Sequence, residues 1–256
     1  MRIALMLRGH ARTWRWTIPQ LNRALAECSP NIDAYVCLWK SQTFGRRELR
    51  ELCDLLPTVH QELIDQEQWD FADSCDGYTA PSWHGARLAQ ARRQHESRGV
   101  EYDMVIDTRP DIYVETHPSW FTLPEQGHLQ STLFTDPWFG SDRPGIEDHL
   151  LVMSPAVHDL WCERHHARYD IGYNHCILHQ FCRDSDLTIG QVQWMRTEFV
   201  RPNWHGWADR GMSMVALRRA LSEWNGMDKQ ERLQHCMTAG IDPQEFSAPF
   251  HLGEFA

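Results

Sequence analysis

The chain has 256 residues, of which 42% are hydrophobic and 23% are charged. This composition is typical of a globular protein with a sizeable core, and it excludes disordered, collagen-like and coiled-coil chains. Because 25 Lys and Arg face 35 Asp and Glu, the net charge is −10, which disfavours general binding to phosphate backbones. No apolar run reaches the roughly 18 residues that a membrane-spanning helix needs.

The cysteine pattern and the start of the chain indicate the compartment. Eight cysteines occur without a CxxC pair, which favours free thiols in a reducing environment over a disulfide framework. The opening segment MRIALMLRGH has too short an apolar stretch for a signal peptide. We therefore expect a cytoplasmic protein.

The first half of the chain alternates short apolar runs with helical patterns. Residues 102–106 form the clearest strand, and Gly99 ends the helical pattern before it. The polar stretch 65–82 is expected to be a long loop. Strands are predicted at 2–7, 32–39, 58–64 and 102–106, and helices at 16–26, 46–55 and 83–98.

The second half is less regular, but it continues the mixture of strands and helices. Strand–helix alternation at these lengths predicts an α/β fold with parallel strands in its sheet. Because no linker or repeat divides the chain, we expect one domain over residues 1–256. Strands are predicted at 129–134, 149–153 and within 188–200, and helices at 155–169, 173–182, 212–224 and 228–239.

The segment 107–111, with the sequence DTRPD, directly follows the strand at 102–106. Ligands of open α/β sheets bind beyond the carboxyl ends of strands. Two carboxylates and a guanidinium at such a position suit a divalent cation together with an anionic group. The alternative is a capped turn in which Asp107 or Asp111 accepts bonds from nearby backbone N–H groups.

The turn after the first strand reads RGHART from Arg8 to Thr13. Gly9 permits close approach to the backbone, and Arg8 and Arg12 suit a phosphate or diphosphate. The turn is neither a GxGxxG motif nor a Walker loop, so those cofactor motifs are absent here. The other interpretation is that the arginines are merely solvated.

Two further segments carry candidate side chains. Glu147 and Asp148 precede a predicted strand and suit a general base or a group that orients an acceptor hydroxyl; the alternative is a surface turn. Trp204, His205 and Trp207 suit stacking on a sugar or a base; the alternative is a loop anchored on the core.

Cysteine and histidine are concentrated within residues 162–182. His175 and His179 share one face of a predicted helix, as two metal ligands would. The HExxH motif is absent, however, because Cys176 stands where that motif needs Glu. A structural zinc site and ordinary packing are therefore both open interpretations.

Three of these segments occur in the order found in a loosely defined group of GT-A-like glycosyltransferases, which are common in polysaccharide-synthesis gene clusters. The turn at 9–13 resembles the Gly-x-x-Arg-Thr end of that group's first strand. Residues 102–111 resemble its Tyr-Asp-x-Val-Ile-Arg-x-Arg-x-Asp motif, and 147–154 resemble its later acidic strand start. The resemblance covers roughly residues 1–160.

Two departures from that group's pattern concern the metal site. Asp107 stands where the group has arginine, so that residue's role is not carried over. Arg109 separates Asp107 from Asp111, so the usual Asp-x-Asp metal motif is not intact. Arg109 could therefore take part of the cation's role in neutralising a diphosphate.

The resemblance implies a GT-A-like, Rossmann-related mixed sheet with helices on both faces. It also implies a glycosyltransferase that moves a sugar from a nucleotide-diphosphate donor to an acceptor hydroxyl. Residues 1–115 would bind the nucleotide sugar, and residues 116–256 would bind the acceptor. The acceptor would be a polysaccharide, a lipid-linked sugar or a hydroxymethylated nucleic-acid base, and the last would use a basic helix with Arg87, Arg92, Arg93 and Arg98.

Each candidate side chain takes a role on this interpretation. Asp111 and Asp107 would hold Mn²⁺ or Mg²⁺ against the diphosphate, and Asp148 would be the base, so Asp148 and Asp111 are the predicted catalytic residues. Trp204, His205 and Trp207 would line the sugar or acceptor site. The residues expected at the nucleotide are Arg8, Gly9, Arg12, Thr13 and Arg109.

Two functions of other classes are also open. A non-catalytic carbohydrate- or nucleotide-binding module would keep the binding surfaces without the chemistry. A zinc-dependent nucleic-acid enzyme would use the cysteine- and histidine-rich stretch 162–182 and would contain stoichiometric zinc.

Overall fold

The computed structural model describes residues 1–11, 14–41, 44–65, 80–132, 134–135, 144–163 and 174–199. Its strands are β1 Ile3–Gly9, β2 Ile32–Trp39, β3 Thr58–Ile64, β4 Met104–Thr108, β5 Ile112–Thr116, β6 His128–Ser131, β7 Phe134–Thr135, β8 Gly145–Ile146, β9 Leu150–Met153, β10 Thr188–Gln191 and β11 Met195–Phe199. Its helices are α1 Trp14–Cys28, α2 Arg46–Cys53, α3 Ala80–Glu96, α4 Pro155–Glu163 and α5 Asn174–Asp184.

A seven-stranded sheet in the order β10-β6-β9-β4-β1-β2-β3 forms the centre of the molecule. The pairs β1–β2, β1–β4, β2–β3 and β6–β10 are parallel. Strand β9 runs antiparallel between β4 and β6. Two small antiparallel sheets, β5–β11 and β7–β8, accompany it. The predicted mixed α/β sheet is confirmed.

Most residues of the central strands are apolar because both faces of the sheet are covered. Every position of β2 is buried, as expected of a parallel strand with helices on each side. Ile3, Leu5 and Leu7 of β1 contribute to one core with residues of α1 and α2. Ala4 and Met6 contribute to a second core with residues of α3, α4 and α5. Helices on both faces are therefore confirmed.

The strand before the candidate site begins and ends two residues later than predicted, at Met104–Thr108 instead of 102–106. The sequence pattern ends this strand at Ile106, because the next residue is charged, whereas β4 continues through Asp107 to Thr108. Arg8 of the neighbouring strand supplies a counter-charge, which lets Asp107 remain in a buried strand. The chain then turns directly into β5, a strand that was not predicted.

Two further predictions concern the described part of the chain. Within the described ranges, no helix combines the length and apolarity needed to cross a lipid bilayer. The six cysteines in those ranges are free thiols, as expected. Several predicted elements extend beyond the described residues. Most of the predicted loop at 65–82 and the end of the predicted helix at 155–169 lie outside them. The predicted helices at 212–224 and 228–239 lie outside them completely.

Candidate functional site

The candidate site lies at the carboxyl ends of two neighbouring parallel strands. Leu7 of β1 is paired with Thr108 of β4, so the residues that follow meet at one edge of the sheet. Thr108 is also paired with Leu150 of β9, which brings the segment 147–149 to the same edge. Three segments that the sequence singled out, at 8–9, 107–111 and 147–149, therefore converge.

Arg8 and Asp107 form a buried ion pair between β1 and β4. The Nε atom of Arg8 donates to Oδ1 of Asp107 at 2.5 Å, and the two side chains are 3% and 0% exposed. Burial raises the pKa of Asp107, and the charge of Asp148 adds to this, whereas Arg8 acts in the opposite direction. The Asp107 carboxylate therefore depends on Arg8 for its charge.

Arg109 and Asp111 form a second pair within the turn from β4 to β5. The Nε and Nη2 atoms of Arg109 donate to the two carboxylate oxygens of Asp111, each at 2.9 Å. Burial alone would lower the pKa of Arg109, but Asp111, Asp148 and Glu147 raise it. Arg109 is thus a fixed cation close to three carboxylates, with 16% of its side chain exposed.

Buried side-chain donors hold the backbone of the acidic segment 147–149. Its three consecutive carbonyl groups accept hydrogen bonds from Ser131 Oγ at 2.6 Å, Arg8 Nη2 at 3.0 Å and Thr108 Oγ1 at 2.9 Å, in that order. The three donors belong to β6, β1 and β4. The segment is therefore anchored to three strands of the central sheet.

His149 lies between the two carboxylates that precede it. Its Nδ1 atom contacts Glu147 Oε1, and its Nε2 atom is 3.6 Å from Asp148 Oδ1. Burial lowers the pKa of His149, although Glu147 and Asp148 act in the opposite direction. This histidine was not among the predicted site residues, and its position directly after two acidic residues was the available signal.

A second histidine lies beneath the site. His158 of α4 has its Nε2 atom 3.9 Å from Asp107 Oδ2 and 3.6 Å from the sulfur of Cys162, and all three residues are buried. Burial lowers the pKa of His158 well below its usual value, so the ring is neutral. Nothing in the sequence links His158 to Asp107, since α4 reaches this position only through the packing of the sheet.

Gly9 ends β1 with open space beside it. Its φ of +98° lies in a region that side chains with a Cβ rarely adopt, and an added Cβ would meet no atom within 4 Å. The backbone therefore has open space beside it at this end of β1, and the approach of a ligand to Gly9 stays a prediction.

The predicted metal ligands do not fit a divalent cation as they are placed. Asp107 is paired with Arg8, and both oxygens of Asp111 accept bonds from Arg109. Both carboxylates are completely buried, whereas Mg²⁺ and Mn²⁺ sites offer several oxygen ligands together with water. In the described ranges, no three His, Cys, Asp or Glu side chains are grouped so as to hold a metal ion.

Several predicted site residues lie outside the described residues, namely Arg12, Thr13, Trp204, His205 and Trp207. Their roles stay predictions. The helix proposed to offer a basic face is α3, and three of its arginines form ion pairs with carboxylates of this chain. Arg87 pairs with Glu62, and Arg92 and Arg93 pair with Asp159.

Comparisons with known proteins give likenesses only at the level of structure. No protein-family model matches the sequence, and no curated protein matches it. A glycosyltransferase involved in the glycosylation of the major capsid of PBCV-1 aligns with a TM-score of 0.42 and 11% identity, over 75% of this chain and 82% of that chain.

Two further solved structures are similar to this chain. The apo-form glycosyltransferase GlyE from Streptococcus pneumoniae TIGR4 aligns with a TM-score of 0.36 and 14% identity, over 75% of this chain and 45% of that chain. A nucleoside-diphosphate-sugar pyrophosphorylase from Vibrio cholerae RC9 aligns with a TM-score of 0.40 and 11% identity, over 74% of this chain and 90% of that chain.

Proposed function

We propose that the chain is a cytoplasmic glycosyltransferase that moves a sugar from a nucleotide-diphosphate donor to an acceptor hydroxyl. The observation that supports this function is the convergence of Arg8, Arg109 and the acidic segment 147–149 at the carboxyl ends of β1 and β4. Open α/β sheets bind ligands at this edge. The converging segments are also those in which the sequence resembles GT-A-like glycosyltransferases.

The donor diphosphate would bind beside Arg109. This guanidinium is charged and partly exposed, and Asp111 fixes its plane through two hydrogen bonds. A fixed guanidinium stabilises the charge that develops on a departing diphosphate. Because Asp111 holds this guanidinium in place, Asp111 would serve catalysis through Arg109. Gly9 would leave room for the ligand, and the nucleotide would also be bound by Arg8, Arg12 and Thr13.

Asp148 would act as the general base. As the acceptor oxygen forms its bond to the anomeric carbon of the sugar, the bond from that carbon to the diphosphate breaks, and Asp148 takes the proton of the hydroxyl. Trp204, His205 and Trp207 would line the acceptor side within residues 116–256, and residues 1–115 would hold the donor. Because Asp107 and Asp111 are engaged by arginines, no step here runs through a metal ion at these residues.

The acceptor would be a polysaccharide, a lipid-linked sugar or a hydroxymethylated base in nucleic acid. The ion pairs that Arg87, Arg92 and Arg93 make with carboxylates of the chain reduce the positive charge that α3 can offer to nucleic acid. This observation favours a sugar acceptor over a nucleic-acid base.

A thermal-shift panel of nucleotide sugars, run with Mn²⁺ and with EDTA, tests donor binding. A bound donor raises the melting temperature by mass action. Because each candidate metal-binding carboxylate is paired with an arginine, we expect the shift to persist in EDTA. No shift with any nucleotide sugar contradicts the proposal, whereas a shift without transfer to any acceptor indicates a non-catalytic binding module.

The Asp148→Asn variant tests the chemical step. Without a base, we expect transfer to fall by about 10²- to 10⁴-fold while the donor-induced thermal shift is retained. Initial rates of nucleoside diphosphate release measure the effect. The matched control is Asp54→Asn, which neutralises an exposed carboxylate in the turn after α2 and is expected to leave the rate unchanged. Full transfer by a folded Asp148→Asn protein would rule out this base.

A further inference from the structure

The acidic segment 147–149 is buried but has no regular secondary structure. A buried backbone carbonyl without a hydrogen-bond donor costs free energy, and helices and sheets normally supply that donor from other backbone groups. Here all three carbonyls accept from side chains instead. The backbone of this segment is therefore held in place by side chains and not by regular secondary structure.

The donors are themselves held firmly. Ser131, Arg8 and Thr108 lie at or near the carboxyl ends of three strands of the central sheet, and their side chains are buried. Asp107 holds the Arg8 guanidinium from the other side. Strand β9, which begins directly after the segment, pairs with both β4 and β6 and keeps Thr108 and Ser131 in register with the segment.

We propose that Ser131, Arg8 and Thr108 are positioning residues that form a carbonyl clamp on the segment 147–149 and thereby fix the carboxylate of Asp148 for proton transfer. This inference rests on the proposed function, in which Asp148 takes the acceptor proton. A base held by a rigid backbone needs little reorganisation, and a displacement of about 1 Å at a reacting group reduces a rate about a hundredfold.

A purely structural role makes a different prediction. If the three bonds only satisfy buried carbonyls, their loss lowers the stability of the whole protein without changing the segment selectively. If they position Asp148, loss of the Ser131 or the Thr108 hydroxyl frees the segment 147–149 and lowers kcat, whereas the donor KM stays the same because neither hydroxyl is part of the proposed donor site. The two roles are thus separable by a local measurement together with a kinetic one.

The test uses the full chain with Thr108→Val and Ser131→Ala, each of which removes one hydroxyl donor at little change in volume. Thr108→Ser restores the hydroxyl and serves as the rescue variant. Thr58→Val is the matched control, since the Thr58 hydroxyl donates to the carbonyl of Cys53 at 3.2 Å in a turn outside the site. Circular dichroism confirms folding, and Ser131→Ala continues the test if Thr108→Val does not fold.

Hydrogen–deuterium exchange and transfer kinetics are the two readouts. We expect amide exchange at 147–149 to rise about tenfold in Thr108→Val and Ser131→Ala, which corresponds to loss of one hydrogen bond. We expect kcat to fall about ten- to a hundredfold at unchanged donor KM. Thr108→Ser is expected to restore both properties, and Thr58→Val is expected to change neither.

Each result decides a separate part of the inference. Unchanged exchange at 147–149 in both hydroxyl-deletion variants overturns the clamp, whatever the activity. Faster exchange at unchanged kcat overturns the positioning of Asp148. If the unaltered protein transfers no sugar, the proposed function fails and with it the role assigned to Asp148, while the exchange data still decide whether the clamp exists.

Discussion

At the scale of single residues, two arginine–aspartate pairs determine the electrostatics of the candidate site. The Arg109–Asp111 pair is local and follows from the DTRPD sequence, in which the two residues are separated only by Pro110. The Arg8–Asp107 pair joins residues 99 positions apart, so no local pattern predicts it. The sequence therefore identified the segments that carry these four charged side chains. It did not reveal that each aspartate is paired with an arginine, and for that reason Asp107 and Asp111 were assigned to a cation.

The Arg8–Asp107 pair predicts a large effect of removing one partner. Asp107→Ala leaves the buried Arg8 guanidinium without its carboxylate, so we expect the free energy of unfolding to fall by about 3–5 kcal/mol. The double variant Arg8→Met, Asp107→Leu replaces both charges by apolar groups and is expected to recover part of this loss, since Arg8→Met also removes the donor to the Asp148 carbonyl. Urea denaturation measures both. A double variant no more stable than Asp107→Ala would show that charge pairing is not the cause.

At the scale of elements, local patterns predicted strands within the main sheet better than strands outside it. The predicted bounds of β2 and β3 match the structure, because apolar runs between turn residues are a local signal. Strand β5 was missed. It exists through antiparallel pairing with β11, in which Ile112 is opposite Phe199, and such a distant partner leaves no signal in the local sequence.

The positive φ of Gly9 gives a prediction for the end of β1. Gly9→Ala adds a methyl group where there is open space, so no steric clash is expected. The positive φ still strains an alanine, and we expect this strain to lower the free energy of unfolding by about 1–3 kcal/mol. Gly190→Ala is the control, because Gly190 has no positive φ and the atom nearest its added methyl is Cγ of Gln130 at 3.1 Å. Urea denaturation should show the larger loss for Gly9→Ala. Equal losses would contradict the argument from strain.

At the scale of the whole molecule, one sheet joins two buried cores. The strands β1, β2 and β4 contribute residues to both cores, so the described part of the chain is expected to unfold as one unit. Buried histidines are part of this unit. His84 and His158 are buried and lie close to arginines. Burial and these positive charges lower the pKa of both histidines, so both are neutral in the folded protein.

These histidines predict a loss of stability in mild acid. Burial, together with the charges of Arg8, His10 and Arg87, lowers the pKa of His84 to about 3. Between pH 6.5 and 3 the unfolded chain binds a proton there that the folded chain does not, so stability falls as the pH falls. The loss at pH 5 is about 2 kcal/mol for such a histidine.

Urea denaturation at pH 7 and pH 5 measures this dependence. We expect His84→Gln to reduce the difference in unfolding free energy between the two pH values by about 2 kcal/mol. His117→Gln, at a partly exposed position after β5, is expected to leave the difference unchanged. A His84→Gln protein with the full pH dependence would show that His84 is not its source.

The place of β9 in the sheet has a consequence during synthesis. Strands β1 to β4 all lie within the first 108 residues and pair side by side, so they can associate while the chain is still on the ribosome. One edge of β4 then has no partner until residues 150–153 emerge. Unpaired edges template aggregation. We expect nascent chains arrested before β9 to be the form of this protein that most needs a chaperone.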